Sequence, residues 1–99
     1  MKSRKKFHIL RVSHISEEQQ GLIFYICRCY PDLPEHKRAC LDKLFDEVGG
    51  VHSAALRAAM TTDESFVKIC LEHYIGSTNT LHVLVRRFFE RFPLDEMMR

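Results

Sequence analysis

From Ser16 onward, apolar residues recur every three to four positions, the period of helices buried along one side. Ser16 followed by Gln19 predicts a capping box and a first helix reaching Tyr30. Leu22, Ile23, Ile26, Cys27 and Tyr30 form its stripe, while Phe24 and Tyr25 widen that stripe beyond an ordinary amphipathic face. Such a helix either sits at the centre of a bundle or presents aromatic surface to a partner. Pro31 stops it, and Asp32 with Glu35 three positions later predicts the cap of a second helix. That helix would bury Cys40, Leu41, Leu44, Phe45 and Val48 and end at Gly49-Gly50.

A third helix is expected from Ser53 to Met60, where Ala54, Ala55, Ala58 and Ala59 are small enough for a neighbour to approach closely. Thr61 and Glu64 have capping-box spacing for a fourth helix that reaches Tyr74 and buries some of Phe66, Val67, Ile69, Cys70 and Tyr74. Gly76-Ser77-Thr78 marks a turn and a new start. The fifth helix has the clearest pattern, with Leu81, Leu84, Val85, Phe88, Phe89 and Phe92 on one face before Pro93. In residues 7–15, Phe7, Ile9, Leu10, Val12 and Ile15 suit an extended arm or a short strand. A lone strand would need a second copy or another protein to pair with. The expected fold is therefore all-α: a compact four- or five-helix bundle-like domain over residues 16–93. A basic N-terminal arm (1–15) precedes it and a short C-terminal tail (94–99) follows.

Composition bounds the function. The 99 residues suffice for one small domain, and 45% hydrophobic with 28% charged residues is the balance of an ordinary globule. No apolar run approaches the ~18 residues of a membrane span. After the basic start only Phe7-His8-Ile9-Leu10 precede Arg11, too short for a secretory core of roughly 7–15 residues, so a cytoplasmic location is expected. The net charge of +2 conceals an asymmetry: Lys2, Arg4, Lys5, Lys6 and Arg11 put all the excess in the first eleven residues, leaving a mildly acidic body. A protein that grips nucleic acid with its whole surface carries a basic face.

Candidate chemistry is sparse. Cys27, Cys29, Cys40 and Cys70 are expected as thiols in a reducing compartment. His36-x-x-x-Cys40 and Cys70-x-x-His73 each have same-face helical spacing, so two packed helices could offer zinc two thiolates and two imidazoles. Against this stands the plainer arrangement of buried thiols with histidines at the stripe edges. There is no phosphate loop, nucleophile elbow or metalloprotease spacing. No enzyme activity, no cofactor and no small-molecule substrate are therefore expected.

Two binding readings remain. In the first, a non-enzymatic helical protein acts by binding another protein, as an adaptor, regulator or inhibitor, with Phe24, Tyr25 and Arg28 in contact. Size and composition match small phage and mobile-element regulators by analogy alone. In the alternative, the fourth and fifth helices form a helix-turn-helix, with helix 77–92 reading DNA. Asn79, His82, Arg86 and Arg87 would then face bases, and Ser77 and Thr78 would lie near a phosphate. Surplus apolar surface on the first helix and residues 7–15 is also compatible with a homodimer.

Overall fold

The computed structural model describes residues 15–99. The described chain is all-helical: α1 (Glu17–Arg28), α2 (Glu35–Gly49), α3 (Ser53–Thr61), α4 (Phe66–Glu72), α5 (Thr78–Arg91) and a single turn, α6 (Leu94–Met97). Tight 3-10 turns at Tyr30–Asp32 and Gly50–His52 join α1 to α2 and α2 to α3. The expected arm falls on residues outside those described, Ile15 excepted. No helix of the described residues is long and apolar enough to cross a membrane.

The first helix begins as its sequence predicts. The Ser16 hydroxyl accepts from the Gln19 amide at 3.1 Å, and the Gln19 side chain accepts from the Ser16 amide at 2.9 Å. Glu17 and Glu18 in the first turn and Arg28 in the last complement the helix dipole. The helix ends two residues short of Tyr30, which instead opens the 3-10 turn Tyr30–Asp32 with Pro31, a residue with no amide to continue the α-helical ladder. Asp32 does not cap α2. Pro34 takes the N-cap position with no side-chain hydrogen bond, and its carbonyl accepts from the amides of Lys37 and Arg38. The turn after α2 hinges on Gly50, whose φ of +55° is the left-handed region open to glycine at little cost.

The shortness of the side chains on α3 explains the architecture. Ala55 and Ala59 are buried beside Leu56 and Met60, and α3 packs against α1, α2, α4 and α5. Small residues at a crossing let helix axes approach, so an alanine-rich helix can serve as the hub. Aromatic rings fill the space around it. Phe88 lies against Phe45 with ring centres 4.9 Å apart and planes nearly parallel, while Phe89 meets Phe24 edge-on at 5.4 Å. Both arrangements suit the ring quadrupoles. A polar knot ties α2 to α3 at the surface: Asp42 accepts from the Tyr30 hydroxyl at 2.7 Å and from Arg57 at 2.8 Å. The Arg57 guanidinium also lies 4.8 Å from the Phe45 ring centre.

Two further expectations are corrected. Thr61 and Glu64 do not cap α4. The hydroxyls of Thr61 and Thr62 instead donate to the Arg57 and Ala58 carbonyls, closing α3, and Ser65 caps α4 by accepting from the Lys68 amide. Residues 94–99 do not behave as a simple tail either. Leu94–Met97 is helical, Met97 is buried, and the Lys37 ammonium donates to the carbonyls of Met97 and Arg99.

Candidate interaction surface

Helix α4 carries apolar residues on two sides. Ile69 and Cys70 are buried against α3 and α5, with Phe66 half-buried, its ring centre 4.7 Å from that of His82. On the other side Val67 and Leu71, one turn apart, are 61% and 73% exposed, and Tyr74, just beyond the end of the helix, is 94% exposed. A seven-residue helix at the edge of a small domain has one face for the core, and here the second face is apolar as well.

The backbone at the end of this row is unusual. The helix closes on a Schellman motif in which the Ile75 amide donates to the Cys70 carbonyl at 2.9 Å and Ile75 is buried. The left-handed position of that motif, which glycine ordinarily fills, is Tyr74, with φ 59°. Tyr74 is the one non-glycine residue of positive φ among the described residues. An L-residue in this region costs roughly 1–2 kcal/mol. No burial of the ring offsets that cost, since the ring stands in solvent. Glycine is available two positions later at Gly76, which lies outside the left-handed region.

The charges beside the row are ordered. Lys68 pairs with Glu64 at 3.6 Å, and Glu72 follows four residues after Lys68 on the same flank. Asp63, just before the helix, is bridged to Arg28 at 2.7 Å. That bridge ties the end of α1, including Tyr25 one turn before Arg28 and 66% exposed, to the start of α4.

Of the residues proposed for protein contact, Tyr25 is at the surface but Phe24 is not. Phe24 is 5% exposed and packs edge-on against Phe89. The wide stripe of α1 therefore reflects burial on more than one side, with only Tyr25 left over. Arg28 is engaged within the molecule, by Asp63 and over the Phe24 ring at 6.0 Å.

The helix-turn-helix candidates separate similarly. Asn79, Arg86 and Arg87 are exposed on α5, and Thr78 is half-buried. His82 is half-buried against Phe66, and the Ser77 hydroxyl accepts from the Asn79 amide as the α5 cap. The four zinc candidates do not converge. His36 and Cys40 border a surface hollow of about 350 Å³ with Lys37, Glu96, Met97 and Arg99. Cys70 instead turns its thiol toward the Ser77 carbonyl, and His73 is the residue that caps the end of α4. Among the described residues no group of three or more His, Cys, Asp or Glu is placed to hold a metal. The pairing failed because same-face spacing within each helix says nothing about whether the two faces meet.

Sequence reasoning placed Val67 and Tyr74 in a pool of buried positions and passed over Leu71. The signal was present, since two apolar rows on so short a helix cannot both reach the core. No family model, curated protein or solved structure matches the chain.

Proposed function

We propose that this protein is a non-enzymatic protein-interaction module, of the adaptor, regulator or inhibitor type, whose binding face is the exposed row of α4. The observation that carries the reading is Tyr74. A bulky ring held in solvent on a backbone that disfavours it has no structural reason to be there, and aromatic side chains are the commonest energetic anchors of protein interfaces. Leu71 and Val67 extend that anchor into a row suited to a helix or groove on the partner. Tyr25, near the α1 end tied to the approach to α4 by the Arg28–Asp63 bridge, is a further exposed aromatic on the surface.

DNA binding by α5 is the second reading, favoured by the exposure of Asn79, Arg86 and Arg87 on one helix. It is weakened by His82 packing on Phe66, by the capping role of Ser77, and by Asp63, Glu64 and Glu72 on the preceding helix and its approach, where phosphate would lie.

The test is photo-crosslinking of the full chain, in the cells that make it, from a benzophenone side chain at position 71, with the exposed Glu47 position as control. Protein adducts from position 71 alone, lost on adding Tyr74→Gly, are expected. Fluorescence anisotropy on duplex DNA over a salt series accompanies it. No adduct from position 71, together with sequence-selective DNA binding that Arg86→Ala weakens by about tenfold, overturns the reading in favour of the helix-turn-helix.

A further inference from the structure

We draw no further inference here: the strongest candidate, the exposed apolar patch of Val67 and Leu71 on α4 with Tyr74 just beyond its end, belongs to the binding face already described, and nothing in the structure shows what covers it.

Discussion

Helices α4 and α5 are neighbours in sequence and in space, yet their faces obey different rules. On α5 the buried side is Leu81, Leu84, Val85, Phe88 and Phe89, and the outer side carries Arg86, Arg87, Glu90 and Arg91. That apolar-inside, charged-outside division is the ordinary one for an amphipathic helix packed on a core. On α4 the inner side is equally ordinary, but the outer side is Val67, Leu71 and a strained Tyr74. The amphipathic division covers the apolar residues of α5 but leaves those on the outer side of α4 without a partner in the core, which is why the proposed binding face is placed there.

The most forceful way to break this contrast is to delete one large apolar side chain from each helix. Phe88→Ala removes a ring held by Phe45 and Phe92 and is expected to cost about 3–5 kcal/mol, read as a fall in the urea midpoint. Leu71→Ser should move stability by no more than about 0.5 kcal/mol in either direction. Comparable losses at the two sites would mean that Leu71 is buried in the folded chain, and the interaction surface would vanish with the contrast.

A second probe uses pH. Burial pushes the Cys27 thiol far above its ordinary value, only partly opposed by the nearby Arg28 charge, and burial also raises Cys70. A thiol raised in the folded state contributes its full stability below the unfolded value of about 8.5 and loses it above. Unfolding free energy should therefore fall by up to about 1.4 kcal/mol per pH unit for Cys27 between pH 8.5 and 9.5. Cys27→Ala should flatten that slope, measured by urea denaturation at each pH. An unchanged slope would show that Cys27 is open to solvent and that the α1 face is less fully buried than α5.

The contrast also explains what could be read from sequence. Long amphipathic patterns were legible: α5, the Ser16 cap and the stripe Leu41, Leu44, Phe45, Val48 follow from period and turn chemistry alone. Competing caps were not. Thr61, Thr62 and Ser65 can all start a helix, and only the carbonyls of Arg57 and Ala58 decide that the threonines close α3 instead. Burial of Phe24 was equally hidden, since it depends on Phe89 arriving from a helix more than fifty residues away. The row on α4 failed for a related reason: a start placed at Thr61 lengthens the helix on paper and makes room for two buried faces that seven residues cannot have.

Replacing Tyr74 by glycine sharpens the contrast from the other direction. Glycine fits the left-handed C′ position without strain, and the tyrosine ring contributes no burial to the folded monomer. Tyr74→Gly is expected to raise stability by about 1 kcal/mol, or roughly 4–8 °C in Tm for a domain of this size, measured by thermal denaturation. A residue whose removal stabilises the fold and abolishes association is held for the association.

The smallest effect is expected at the surface knot of Asp42, Tyr30 and Arg57, which belongs to the structural side of the comparison. Partial burial works against ionisation of Asp42, but the hydrogen bonds from Tyr30 and Arg57 and the charges of Arg57 and Arg38 outweigh it and hold the carboxyl below the usual range. A carboxylate depressed in the folded state lends stability above its unfolded value of about 3.9 and loses it as pH falls through the folded value. Asp42→Asn should therefore lower the thermal midpoint slightly at pH 7 and converge with the parent chain in acid. Because the knot joins α2 to α3 through Asp42, Tyr30 and Arg57, the same substitution should leave protein crosslinking from position 71 at pH 7 unchanged. A loss of association there would mean that the two halves of the molecule are coupled, and the division between a folded body and a binding row on α4 would have to be withdrawn.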